Sequence, residues 1–365
     1  MAEPSKSALL VSSNVAFGGR TVPSEQVDLA FGMPPGKLRT RAGIVSLAYA
    51  GDDETEVKLG ARSAEGALRS AGIDARGVDW ILATSETHHS VPELAAQIHL
   101  AIGASESCGA MDIGGACLGF VHGLAVAKAF VESGQAGAVL VVTADVHSRV
   151  LLPGRVAGEF GGLFGDGASA FVVRQNEASV ASGNFALRDF FFGCASQYQQ
   201  AIQVSAEPND QLRVVFDGDA LSRAATARLD ACIEELERRS GVNRPDVAAF
   251  ATHQPNPRLV ALLAKKTGVP LEKFPPVADT RGNMGSTTCA ASLHYAVEHE
   301  RRRQNASRQP IFLASLGPGL LFGGGWLEPA ETGKDAVQGP GWARTAASVF
   351  TEPRNPPNET QRMRR

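Results

Sequence analysis

The residue with the clearest capacity for covalent chemistry is Cys117, in Met111-Asp112-Ile113-Gly114-Gly115-Ala116-Cys117-Leu118-Gly119-Phe120. It stands where a strand and a turn of small residues pass into a long apolar helix. A helix N-terminus offers free N–H groups and a partial positive charge, which stabilise a thiolate and an oxyanion alike, and flanking glycines let a substrate approach the backbone. Cys117 is therefore either an acyl-carrying nucleophile or a small buried hydrophobe.

Two further segments bear on that choice. Ala251-Thr252-His253-Gln254-Pro255-Asn256 places a histidine at the C-terminal edge of an apolar strand, where open α/β sheets build their sites. Arg281-Gly282-Asn283-Met284-Gly285-Ser286 is a polar turn directly before a helix. Singly, each also fits a satisfied structural histidine or an ordinary turn asparagine. Together with Cys117 they form a candidate triad.

The elements that must position them follow an α/β rhythm. Strands are expected at 8–15, 80–84, 110–112, 138–144 and 168–174, with helices at 55–71, 94–102 and 118–133. The second half repeats the pattern, with strands at 212–216, 247–252, 311–315 and 320–327 and helices at 219–240, 259–266 and 288–303. The expected organisation is two similar halves, 1–175 carrying Cys117 and 176–330 carrying His253 and Asn283. From 331 to 365 the chain is rich in Pro, Gly, Asn, Arg and Glu and is expected to be a disordered tail.

Bulk properties exclude several classes. The 365 residues are 44% hydrophobic and 20% charged, ordinary for a globular protein, and a net charge of −3 creates no field that would gather nucleic acid. The five cysteines are scattered without CxxC spacing, against both a disulfide framework and a zinc site. No apolar run approaches the ~20 residues of a membrane span, and the N-terminus lacks the layout of a secretory signal. A cytoplasmic protein without metal is expected.

The motifs resemble those of the ketoacyl-acyl-carrier-protein synthase III family from about Ala8 to Pro329. Gly114–Gly119 is similar to its nucleophile loop, Leu163-Phe164-Gly165-Asp166-Gly167-Ala168 to its glycine turn, His253–Asn256 to His-Gln-x-Asn, and Gly282–Ser292 to its Gly-Asn turn and helix; Thr40-Arg41-Ala42-Gly43-Ile44 also fits. The resemblance implies a thiolase-like five-layered αβαβα fold, a homodimer, and a Cys117, His253, Asn283 triad. It implies an oxyanion hole from the backbone of Cys117 and Gly319, and decarboxylative condensation of an acyl-Cys117 with a malonyl-carrier protein. No cofactor is implied, the substrates being phosphopantetheine thioesters on acyl carrier protein or coenzyme A. A second histidine in place of Asn283 would indicate an elongating synthase, a cysteine a thiolase, and a glutamate base a hydroxymethylglutaryl synthase.

The chain departs from the pattern where typical members grip the adenine of coenzyme A. Lys37 stands for a tryptophan and Gly158 for an arginine, with Arg155 nearby. A carrier-protein donor is therefore expected, held by Arg41, Arg258, Lys265 and Lys266, the last three on the helix that docks the acidic carrier in this family. Val91, in Thr87–Pro92, falls where the family reaches into the partner's acyl tunnel. Two other functions compete: acyl transfer from Cys117 to an alcohol or amine, and a catalytically silent partner subunit.

Overall fold

The run Ala138–Val146, buried along its whole length, shows how the architecture arises. Val139 and Val141 join one core while Leu140 and Val142 join another. A strand covered on both faces has no polar side, so its two-residue alternation is hidden in a continuous apolar run. The computed structural model describes residues 7–176, 183–208, 211–303 and 308–330. The segment 331–365 expected to be a disordered tail lies outside the described residues.

Ten strands form one mixed sheet. The first half supplies β1 (Ala8–Phe17), β2 (Trp80–Thr84), β3 (Gly109–Asp112), β4 (Ala138–Val146) and β5 (Asp166–Gln175). The second supplies β6 (Phe185–Leu187), β7 (Phe191–Cys194), β8 (Ala249–Thr252), β9 (Ile311–Gly317) and β10 (Leu321–Pro329). The order is β8-β9-β10-β6-β1-β5-β4-β2-β3, with β7 beside the start of β10. β2 runs parallel to β3 and β4, and β8 to β9. The short β6 pairs with both β1 and β10, so the two halves share one continuous sheet.

Six helices complete the layers: α1 (Glu56–Ala71), α2 (Leu94–Ile102), α3 (Gly119–Glu132), α4 (Gly218–Ser240), α5 (Pro257–Thr267) and α6 (Ser286–Arg302). Between the half-sheets, Leu124 and Val131 of α3 and Leu293 and Val297 of α6 share a core with Val139, Phe171, Ile311 and Leu313. α1 and α2 cover the outer face of the first half, through Leu59 and Ile98 on Ile81 and Leu140. α4 and α5 cover the outer face of the second, through Leu229 and Leu263 on Phe250 and Phe312. This is the expected αβαβα arrangement.

One expected strand is placed differently. The segment 212–216 is extended, but it pairs with Ile202–Glu207 in a separate hairpin. Leu212 and Val214 pack against the Phe160 and Phe164 cluster rather than the central core. The second half instead opens with β6 and β7, too short to show alternation.

Candidate active site

Asp112, at the end of β3, accepts from the Leu94 and Ala95 N–H groups at 3.1 and 2.7 Å, which fixes the strand end against the first turn of α2. The chain then turns through Gly115 (φ 131°) and Ala116 (φ 48°) into a single 3₁₀ turn, Ala116–Leu118, that leads into α3. A non-glycine residue at positive φ is strained and persists only where its surroundings hold it. The hold comes from the end of β9. The Ser315 hydroxyl donates to the Cys117 carbonyl at 2.9 Å, and a side chain at Gly317 would meet the Gly115 carbonyl at 2.6 Å, so the two loops are in backbone contact. Cys117 thus sits in the turn at the mouth of α3. Its thiol is not a resting thiolate: burial, then the charge of Glu86, pushes it well above the ordinary thiol range. The helix N-terminus expected to stabilise a thiolate is outweighed, and a base must take the proton when sulfur attacks.

His253 follows β8. Burial pulls its imidazole down to about 4, so it is neutral at physiological pH and suited to donate a hydrogen bond. Its neighbours hold the loop. Gln254 Nε2 donates to the Pro275 carbonyl at 2.7 Å, and Asn256 Oδ1 accepts from the Leu259 N–H at 2.9 Å, capping α5.

Asn283 is gripped by the glycine turn. Its N–H donates to the Leu163 carbonyl at 2.8 Å and its carbonyl accepts from the Gly165 N–H at 2.9 Å. Asp166 anchors that turn, accepting from Ala50 and Ser148 N–H groups at 2.6 and 2.9 Å. The Asn283 side-chain oxygen accepts from the Gly285 N–H at 3.0 Å and the Thr288 hydroxyl at 3.4 Å. With Oδ1 occupied, the Nδ2 hydrogens are left for the cavity. Cys117, His253 and Asn283 all line this cavity, of about 460 Å³, together with Leu316 and Gly317.

A fourth group lines it that the sequence reading did not select. Glu86 follows β2, and its N–H donates to Asp145 Oδ1 at 2.6 Å. Its Oε2 lies 3.8 Å from His147 Nε2. Burial would raise the Glu86 carboxyl, but the neighbouring His147 imidazolium and the Cys117 thiol together hold it below the usual carboxylate value. Burial works against His147 as well, yet Glu86 and Asp145 bring its imidazolium up to about 9. Asp145 is carried to about 7 by burial, with His147 opposing. A glutamate just past the C-terminal end of an apolar strand is the signal that could have marked Glu86.

Residues 111–189 match the family described as 3-Oxoacyl-[acyl-carrier-protein (ACP)] synthase III, and residues 237–328 match its C-terminal region. The chain is 30% identical over 310 residues to the Beta-ketoacyl-[acyl-carrier-protein] synthase III of Ruegeria pomeroyi, covering 83% of this chain and 93% of that protein. The chain belongs to the synthase III family. Among solved structures it is similar to the priming β-ketosynthase of the R1128 polyketide pathway, at TM-score 0.79 and 26% identity over 90% of this chain and 98% of that one. The 3-oxoacyl-(acyl carrier protein) synthase III of Pseudomonas aeruginosa PAO1 shares the fold at TM-score 0.78 and 24% identity, over 89% and 99% of the two chains.

Set against the synthase III pattern, the remaining expected residues divide. Arg41 and Arg258 line the cavity, Arg258 in the first turn of α5. Lys265 and Lys266 do not line it; both are exposed in the last turn of α5, and Lys266 lies 3.8 Å from Asp230. Val91 is 87% exposed and does not line the cavity of its own chain. Gly319 is off the lining too, its carbonyl accepting from the Cys194 thiol at 3.7 Å, whereas Gly317 and Pro318 line it. Pro318 has no N–H to offer. The glycine of this loop packed against the nucleophile turn is Gly317.

The positions expected to grip adenine are occupied differently. Lys37 lines the cavity and pairs with Glu159, a second lining residue. A side chain at Gly158 would meet the Phe31 carbonyl at 2.6 Å, so an arginine has no room there. Arg155 donates to the Val150 carbonyl at 2.8 Å and does not line the cavity. His88 meets the Ser90 hydroxyl at 2.9 Å and the Gln97 amide at 3.2 Å, which gives this loop histidine polar partners. Among the described residues no helix is long and apolar enough to cross a membrane.

Proposed function

We propose that Cys117 takes an acyl group as a thioester and that the acyl-enzyme condenses with a malonyl thioester on acyl carrier protein, releasing carbon dioxide and a β-ketoacyl product. The observation that carries this is the Asn283 side chain, pinned through Oδ1 so that its N–H₂ end serves the cavity holding Cys117 and the neutral His253. Two fixed donors suit a thioester carbonyl whose oxygen becomes an enolate as carbon dioxide leaves. The carbanion then attacks the acyl carbon, and in this reading the Cys117 backbone N–H binds the resulting oxyanion. The carboxylate lost as carbon dioxide supplies the driving force, so the step calls for no metal or redox group.

The donor is an acyl carrier protein in this reading, since Lys37–Glu159 and Gly158 stand where an adenine grip is expected and Arg41 and Arg258 offer positive charge at the cavity. A homodimer is part of the same proposal, with the exposed Val91 loop as the element that reaches the partner. The test is to supply acyl donors with malonyl-carrier protein and analyse products. Carbon dioxide and a β-ketoacyl thioester are expected; an ester or amide formed without decarboxylation would replace this reading with acyl transfer.

A further inference from the structure

We propose that Glu86 is the proton shuttle of acyl loading: its carboxylate takes the Cys117 thiol proton as sulfur attacks the donor thioester and returns it to the departing pantetheine thiol. The inference rests on the reading of Cys117 as the acyl-carrying nucleophile and adds the group that makes it one.

The geometry leads there in steps. The Cys117 thiol is kept protonated by burial, so loading needs a nearby base. His253, held neutral by burial, is the hydrogen-bond donor of the proposed condensation. Glu86 lines the same cavity as Cys117, and its negative charge raises the thiol. Its position is fixed from behind. Asp145 Oδ1 accepts from both the Glu86 N–H at 2.6 Å and the Ser85 hydroxyl at 3.2 Å. His147, on the other side, meets the Gly165 carbonyl through Nδ1 at 3.2 Å and packs on the Phe164 ring at 4.7 Å, which aims Nε2 at the Glu86 carboxylate.

One carboxylate oxygen thus faces a cation. The other, Oε1, is shut off from solvent and has no hydrogen-bond partner among the described residues. A side chain at Gly285 would meet it at 2.6 Å, so the absence of a Cβ there leaves it room. An unpaired carboxylate oxygen is costly to bury. A structural ion pair with His147 accounts for one oxygen; the other stays unpaired near Gly285, as does Asp145 Oδ2, in a carboxylate that lines the Cys117 cavity, and a proton acceptor needs such an oxygen.

The step balances without an added reagent. The Cys117 S–C bond forms and the donor C–S bond breaks, while one proton passes from Cys117 through Glu86 to the leaving sulfur, restoring the carboxylate.

Two reactions of Cys117 separate this from a merely electrostatic role. Loading from thioesters of acyl carrier protein and of N-acetylcysteamine is followed by intact mass, and alkylation by iodoacetamide is followed against pH. Iodide takes up no proton as it leaves, whereas the pantetheine sulfur is protonated to a thiol in the proposed step. In E86Q, removing the negative charge lowers the pH at which Cys117 alkylates, while loading is expected to slow about 10²–10⁴-fold, the usual range for a lost general base. Loading at or above the wild-type rate in E86Q overturns the proposal. Should E86Q fail to melt cooperatively, E86D keeps the charge one methylene back: slower loading with an unchanged alkylation profile is expected, and unchanged loading overturns the shuttle. Failure of the wild type to load from any donor instead sinks the acyl-carrying reading itself.

Discussion

The Ser315 hydroxyl donates to the Cys117 carbonyl at 2.9 Å, joining residues 198 apart in sequence. It ties the peptide of the nucleophile to the C-terminal end of strand β9, where Gly317 presses on Gly115. Ser315→Ala leaves that carbonyl without its partner in a buried setting, so a loss of about 1–2 kcal/mol in unfolding free energy is expected. Urea melts measure it. Loading of Cys117 should slow as well, because the strained Ala116 turn loses its brace; an unchanged midpoint and an unchanged loading rate would show that the bond does neither.

Asn283→Ala separates the two halves of the reaction. Loading uses Cys117 and its surroundings, whereas the enolate needs the Asn283 N–H donor. Acyl-Cys117 is expected to accumulate while condensation with malonyl-carrier protein drops ~10²–10³-fold, the usual cost of one oxyanion donor. Single-turnover mass spectra with and without malonyl-carrier protein read both steps, and equal loss of both would contradict the assignment.

Gly285→Ala probes the space around Glu86. A Cβ there falls 2.6 Å from Glu86 Oε1 and 3.0 Å from Asp145 Oδ2, at φ +55° where L residues are strained. About 1–3 kcal/mol of destabilisation is expected, together with slowed loading as the carboxylate is displaced. A variant that melts and loads like the wild type would mean that Glu86 is not confined as described.

Stability should depend on pH through His147. Its imidazole is raised in the fold to about 9 from the ordinary 6.5. A raised value means that the folded state holds the proton more tightly, so the contribution is full below pH 6.5 and is lost as pH rises towards 9. The decline is on the order of 3 kcal/mol at most, since 2.303RT per pH unit is about 1.4 kcal/mol. His253 works at the other end: its value is lowered to about 4, so its contribution is present above pH 6.5 and lost as pH falls to 4. Melts of wild type and His147→Gln across pH 6–9 test the first limb, and the variant should show a flatter decline.

Charge at the cavity mouth is tested by Arg258→Glu. If Arg258 guides an acidic carrier protein, KM for the acyl-carrier protein should rise about tenfold, with a weaker dependence on salt, while kcat and loading from N-acetylcysteamine thioesters hold. Equal effects on both donors would place Arg258 in the cavity's structure instead.

The sequence alone determined the elements and three of the groups at the site. The long helix α1 declares itself because buried residues recur along it, and β2 because it is a continuous apolar run. Cys117, His253 and Asn283 stand out because each occupies a turn at the end of an apolar element, and small residues or caps mark such turns. What only the tertiary structure decided is which charges these groups meet. Nothing near Glu86 in sequence tells that Asp145 and His147 close behind it, or that Gly285, 199 positions later, makes room for its oxygen. The same holds for Gly317 packing against Gly115 and for 212–216 leaving the central sheet. A hydrogen bond or a desolvated charge depends on distances across the fold, and the spacing of residues along one strand or helix carries no record of them.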